Sequence, residues 1–231
     1  ARRVLAEVDG LRRLSASLSQ GLEAQVSVCL DALFPLDALI TLCSGFAHAF
    51  PSVDLRIDHQ VMSGVPARVR EGSATLGVAT PAAAHMAGLE KIALAPIRML
   101  PVVSPQHELA KRRGRVQTRW FADAIQIVLS ESEQAGTADQ AVLSPRTWRV
   151  GSLEAKHQLL RAGLGWGNLP EHLIRDDLKR RRLVLLRPEA WGEHEHTLVL
   201  SAIYRSDAVF GPAQRWLLDQ LRVVCPEALR A

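Results

Sequence analysis

The chain has 231 residues, 48% of them apolar and 23% charged, a globular balance with length for one or two compact units that need no staples. Three cysteines without paired spacing argue against a secreted disulfide scaffold, no apolar run approaches the roughly 20 residues that span a bilayer, and no leader pattern supports export. Twenty-eight basic against 24 acidic side chains leave +4, too thin and dispersed an excess to name a partner, so the expectation is a reducing, cytoplasmic protein without membrane contact.

From Ala1 to Leu22 there is no proline, and Val4, Val8, Leu11, Leu14, Leu18 and Leu22 recur at steps of three or four. This predicts one helix with an apolar stripe. The spacing fits a helix lying on its own unit and equally one paired with a second chain. The grammar then changes to alternating strands and helices. Val26–Cys29 reads as a strand, Leu36–Phe50 as a helix with Leu36, Leu39, Ile40, Cys43, Phe46 and Ala47 in periodic positions, and Val53–Ile57 as the next strand. Val65–Arg70 reads as a short helix ended by Gly72, and Thr75–Val78 as a third strand. Such a repeat implies parallel strands joined by crossover helices.

Pro81–Lys91 reads as a small-residue connection, and the apolar run Ile92–Val103 as an edge or bulged strand because Pro96 and Pro101 interrupt it. Thr118 is placed to cap a helix near Arg119–Ala124, followed by a strand at Ile125–Leu129 and a polar loop over Ser130–Ala141. Trp148–Val150 is a strand, and Ser152 stands where it would cap a helix over Leu153–Ala162. Gly163, Gly165 and Gly167 punctuate a turn into a strand ending at Leu169, and Pro170 opens a helix as its first residue. Strands at Leu183–Leu186 and Thr197–Tyr204 precede a last helix that starts at Pro212 and buries Trp216, Leu217, Leu221 and Val224. Two α/β lobes follow, meeting near Val103 and Ser104.

Catalytic motifs are missing: there is no nucleophile elbow and no phosphate loop, and the three glycines have the wrong spacing for a dinucleotide fold. No catalytic residue and no cofactor is expected. Glu193-His194-Glu195-His196 is the strongest metal candidate, but zinc needs three or four convergent ligands and only this pair of imidazoles is local, so a polar turn is expected and no metal. Cys29, at a strand end, fits a redox sensor or a buried inert thiol, the second being the ordinary state. The basic clusters Lys111-Arg112-Arg113 with Arg115, and Lys179 to Arg182, lack interleaved aromatics and a recognition helix, so both read as solvated faces.

Four segments in order resemble one family. Gly21 to Val28 with Leu39–Phe46 and Phe50–Ile57, then Arg70–Val78, then Leu100–Ala110 and Ala162–Leu173, are similar to the effector-binding domain of LysR-type transcriptional regulators across nearly the whole chain. Thr75 stands in place of the family's usual aspartate and Glu108 in place of its usual proline. The resemblance implies two Rossmann-like lobes of the type 2 periplasmic-binding-protein kind with a central effector cleft and an N-terminal linker helix. Residues 1–22 would end the dimerisation helix, 23–103 plus 203–231 would form one regulatory lobe, and 104–202 the other. DNA would be reached only through a winged helix-turn-helix that is not among these residues, and the regulator would be a homodimer or homotetramer.

The resemblance, with the rule that open α/β sheets bind ligands beyond the carboxyl ends of their strands, points to Asp31, Ala32 and Leu33 after the first strand, Ser63 and Gly64 after the second and Thr80 after the third. In the second lobe it points to Ser130, and to Ser152 with Leu153. Serine or threonine is commoner in the family at the position of Asp31. An ionised aspartate there disfavours a plain carboxylate: either Arg149 or Lys156 offsets it, or the effector carries a donor such as a hydroxyl or amine. It fits equally a turn-capping role; Asp31→Ala is expected to change effector affinity or preference with folding intact. The implied function is effector sensing without covalent chemistry. The alternatives are a periplasmic-type solute-binding protein, which needs an export signal and no leading helix, and a small-molecule enzyme, which needs a nucleophile and base.

Overall fold

The computed structural model describes residues 23–81, 87–112, 114–130, 141–192 and 196–230; the leading helix, most of the polar loop after Ser130 and the Glu193–Glu195 run lie outside the described residues. The chain divides into two compact units. The described part of the first comprises residues up to Gln60, then Gly64–Ala95 and Leu200 onward, and the second holds Val61–Ser63 and Pro96–Val199.

In the first unit β1 (Gln25–Asp31) runs parallel to β2 (Asp54–Gln60) on one side and to β3 (Leu76–Ala79) on the other, with Cys29 opposite both Asp58 and Gly77. Crossover helices α1 (Leu36–Ala49) and α2 (Gly64–Arg70) connect them. Gly72, with φ +77°, ends α2 as expected, since a left-handed residue after a helix favours glycine. Val65, Val69, Ala74, Ala79 and Ile203 close over Cys29, which is fully buried; burial pushes its thiol up to about 12, the unreactive end of the range.

The last helix, α5 (Pro212–Arg230), packs against α1. Trp216 sits within 6.0 Å of both Phe46 and Phe50, ring centre to ring centre. The face of α1 differs in part from the sequence reading: Phe46 of the expected set is buried, together with Ala38 and Leu42, whereas Leu36 is 67% and Ile40 56% exposed. Both sets recur at helical spacing, and the aromatic contacts of Phe46 fix the rotation. Glu23 receives the Ala213 and Gln214 backbone N–H groups, so one carboxylate satisfies two free donors at the start of α5.

Two strands carry the chain between units. β4 (Leu89–Val103) starts in the first unit and ends in the second, and β9 (His196–Arg205) returns. The boundaries therefore fall inside strands, at Ala95–Pro96 and Val199–Leu200, rather than near Val103 and at 202–203. β4 is also no edge strand, having β9 and β7 as its neighbours. Pro96 is tolerated at the passage between units, where the strand leaves one set of packing partners for another. The reading of Pro81–Lys91 as connection ends three residues too late, because β4 begins at Leu89.

In the second unit the order is β4, β7 (Trp166–Pro170), β5 (Gln126–Leu129), β6 (Thr147–Val150), with β8 (Val184–Leu185) on β4. β5 is parallel to β6 and β7, and β4 antiparallel to β7. Helices α3 (Leu153–Arg161) and α4 (Glu171–Lys179) cover a core of Val102, Ile127, Leu160, Leu169, Ile174 and Leu183. A second core gathers Val103, Val116, Phe121, Leu186 and Trp166, whose indole N–H donates to Ser144 at 2.8 Å. Thr118 begins only a short 3-10 turn through Phe121, and its cap position belongs to Gln117. Pro170 is the capping residue before α4 rather than its first residue.

One ionic cluster ties α3 to α4. Asp177, 3% exposed, meets the His157 imidazole and the Arg182 guanidinium at 2.5 Å each, with Arg161 at 3.6 Å. Arg182 thus pairs with a buried carboxylate while its side chain stays 38% exposed, and Lys179, Arg180 and Arg181 form the solvated face expected of the cluster. In the other basic cluster the Arg112 guanidinium lies 3.6 Å over the Trp120 ring, an aromatic partner ten residues or fewer away in sequence that the cluster itself does not contain.

Candidate functional site

The first unit assembles its group of expected residues where parallel strands end. Leu30 is opposite Val78, which brings the residues just beyond β1 and β3 side by side. The Thr80 hydroxyl donates to one Asp31 carboxylate oxygen at 3.3 Å, and the Leu33 N–H to the other at 2.9 Å. The Phe34 N–H closes the turn on the Asp31 carbonyl, and the Ala32 N–H donates to Gln60 at the end of β2. Asp31, Leu33 and Thr80 are all buried. Asp31 thus organises the turn ahead of α1 with donors of its own unit. Replacing it by alanine would leave the Thr80 hydroxyl and the Leu33 N–H without this acceptor, so Asp31→Ala is expected to cost stability as well as to bear on ligand binding.

Beyond β2, Met62 adopts φ +47°, a left-handed value uncommon for such a side chain. It sits just before Ser63 and Gly64, which the unit boundary separates: Ser63 groups with the second unit, and Gly64 opens α2 in the first. A Cβ at Gly64 would stand 2.9 Å from the Gln60 side-chain oxygen, so the position takes no larger residue without movement.

The second unit collects Ser130, Ser152 and Leu153. The Ser130 N–H donates to the Val150 carbonyl at 3.0 Å, which holds the ends of β5 and β6 together. Ser152 caps α3, accepting the Ala155 N–H at 3.2 Å, as the sequence predicts. Leu153 is half-buried against the α3–α4 core. Asp31 with Thr80 in one unit, and Ser130 with Ser152 in the other, are therefore each clustered at strand ends within their own unit.

Two features escaped the sequence reading, the first being the burial of Lys156, which that reading named only as an offset to Asp31. Lys156 is 6% exposed, and burial pushes its ammonium down to about 8. The signal was present: Lys156 stands three after Leu153 and four before Leu160, on the inward face of α3. The second is a hollow of about 580 Å³ in the second unit, with Arg98, Arg115, Arg187, Trp191 and His196 among its walls; none of the expected residues lines it. Those arginines come from three distant segments, which no local motif reveals. Among the described residues no group of side chains could hold a metal ion.

The LysR substrate binding domain family matches residues 19–226. The probable HTH-type transcriptional regulator YhaJ of Escherichia coli strain K12 is 25% identical over 225 residues, which cover 95% of this chain and 73% of that protein. Among solved structures, full-length LysG of Corynebacterium glutamicum with bound effector arginine superposes with a TM-score of 0.65 at 20% identity, covering 98% of this chain and 75% of that one. The reduced regulatory domain of OxyR2 from Vibrio vulnificus gives 0.66 at 17%, covering 90% and 96%. The fold is thus the type 2 periplasmic-binding-like α/β fold, an effector-sensing architecture. The chain belongs to the LysR substrate-binding domain family and is the effector-binding domain of a LysR-type transcriptional regulator.

Proposed function

We propose that the small molecule sensed by this chain is recognised by Asp31, Ala32, Leu33, Gly64 and Thr80 of the first unit together with Ser63, Ser130, Ser152 and Leu153 of the second. The observation that carries the reading is the Asp31–Thr80 pair: a buried carboxylate and hydroxyl held together beyond two parallel strands, where open α/β folds take their ligands. Ser152 supports it from the other unit, with the free N–H groups of the first turn of α3 beside it. The domain acts by binding alone. The ligand shifts an equilibrium by its differential affinity for two arrangements, and a DNA-binding part elsewhere in the regulator reads the shift as a dimer or tetramer.

A thermal-shift screen of aromatic acids, phenols, amino acids and inorganic anions tests the reading, since a ligand of the folded state raises Tm. Asp31→Asn keeps an acceptor for the Leu33 N–H and removes the charge. Titration of the stabilising compound is expected to weaken about tenfold in Asp31→Asn and again in Ser152→Ala. Full affinity in both variants would remove these residues from the site. Ser152→Ala also loses a helix cap, which costs about 1 kcal/mol in urea unfolding whether or not a ligand is present.

A further inference from the structure

Lysine is almost never fully buried unless an anion pairs with it, because desolvation penalises the ammonium heavily. Lys156, 6% exposed, has no such partner among the described residues. Its backbone N–H donates to the Ser152 carbonyl at 3.0 Å, placing it one turn inside α3. Its stem lies over β7: a Cβ on Gly167 would stand 3.3 Å from Lys156 Cε and 2.7 Å from the Ile127 carbonyl oxygen, so the glycine clears room for the lysine.

Among the described residues packed around α3, no carboxylate answers the charge. The strands packed on α3 are Gln126–Leu129, Thr147–Val150 and Trp166–Pro170, and their one charged residue, Arg149, has the same sign. On α4, Glu171 is engaged by Arg98 at 2.8 Å, Asp176 by Arg180 at 3.5 Å, and Asp177 by His157 and Arg182. On α3 itself Glu154 accepts from Gln158 at 2.6 Å, while His157 and Arg161 face Asp177. Lys156 makes no hydrogen bond or ion pair among the described residues. A cost of this kind that packing does not repay marks a functional group.

We propose that Lys156 supplies the counter-charge for an acidic group, a carboxylate or small oxoanion, carried by the molecule this domain senses and taken up where α3 packs on β7. The proposal rests on the effector-binding reading and adds the ligand's charge to it.

The test compares wild type with Lys156→Met, which keeps the length of the stem and deletes the charge. Thermal unfolding is followed in acetate, benzoate, oxalate, phosphate and sulfate against chloride of equal ionic strength. The expected result has two parts. Without added anion Lys156→Met unfolds at a higher temperature than wild type, and a saturable stabilisation by at least one oxyanion in wild type weakens at least tenfold in the variant. Comparison of the organic acids with phosphate and sulfate tells which kind of anion is bound. A lower unfolding temperature for both Lys156→Met and Lys156→Gln would mean that the fold itself pairs the charge, and would overturn the proposal. So would anion stabilisation that persists unchanged in the variants, or its absence from wild type. A neutral or cationic compound that stabilises wild type and Lys156→Met alike, with no anion effective, would sink this proposal and leave effector sensing standing; a screen in which compounds of every charge fail would count against both.

Discussion

Asp177 shows how one side chain decides the stability of the α3–α4 layer. Burial pulls its carboxyl up, but the His157 hydrogen bond and the adjacent Arg182 outweigh burial and hold it below the usual carboxylate range. A group depressed in the folded state stabilises above its unfolded value and loses that contribution as pH falls through the folded one. Stability is therefore expected to decline on acidification below about pH 4, and Asp177→Asn should flatten that limb in urea unfolding followed across pH. Asp177→Ala leaves a histidine and two arginines facing a void, and a loss of about 3–5 kcal/mol is expected in the same assay. Lys156 titrates in the opposite direction on the alkaline side. Its ammonium, near 8 when folded and about 10.4 when unfolded, should make wild type gain about 3 kcal/mol as pH rises between those values. Lys156→Met should show no such gain; an equal gain would mean that another group titrates there.

At the scale of an element, α1 shows what periodicity leaves undecided. Leu36, Ile40, Cys43 and Ala47 form one helical stripe, and Ala38, Leu42 and Phe46 form another; neither sequence spacing nor composition ranks them. Only the partner does, through Trp216 on a helix more than 160 residues later, whose indole also lies 2.9 Å from where a Gly45 Cβ would stand. Phe46→Ala is thus expected to cost about 3–5 kcal/mol in denaturant unfolding. Ile40→Ser should change it by no more than about 0.5 kcal/mol. Equal effects would mean that the exposed stripe is covered by something in solution. β4 teaches a related lesson. Its prolines look like edge markers in isolation, yet the strand continues through both: Pro96 falls where it changes units, and Pro101 stands opposite Asn168 of β7 inside the second unit. By contrast, Ser152, Gly72 and the crossover order were legible, since caps and left-handed turns depend on chemistry within a few residues.

For the molecule as a whole, alternation of strands and helices was enough to find two units, and four spaced segments were enough to find the family. The proposed site residues were legible only as positions at strand ends, because Asp31, Thr80, Ser130 and Ser152 each stand where a recognisable strand finishes. They were not legible as contacts: that Thr80 donates to Asp31 depends on β1 and β3 being neighbours 49 residues apart, and that Lys156 lacks an anion depends on every carboxylate of α4 having its own partner. The two units have separate cores, one around Cys29, Val65 and Ile203, the other around Ile127, Leu160 and Ile174. Amide hydrogen exchange of Asp177→Ala is accordingly expected to speed at the second core and to stay near wild type at the first. Uniform acceleration would mean that both halves open in one step.

The grip of Glu23 on the first turn of α5 has a practical corollary for anyone trimming this polypeptide. The side chain that ends the exposed dipole of the terminal helix is supplied by a residue two positions ahead of β1, so an expression boundary drawn at Ala24 would save one amino acid and unfasten the helix at the other end of the chain. The sensible cut lies upstream of it.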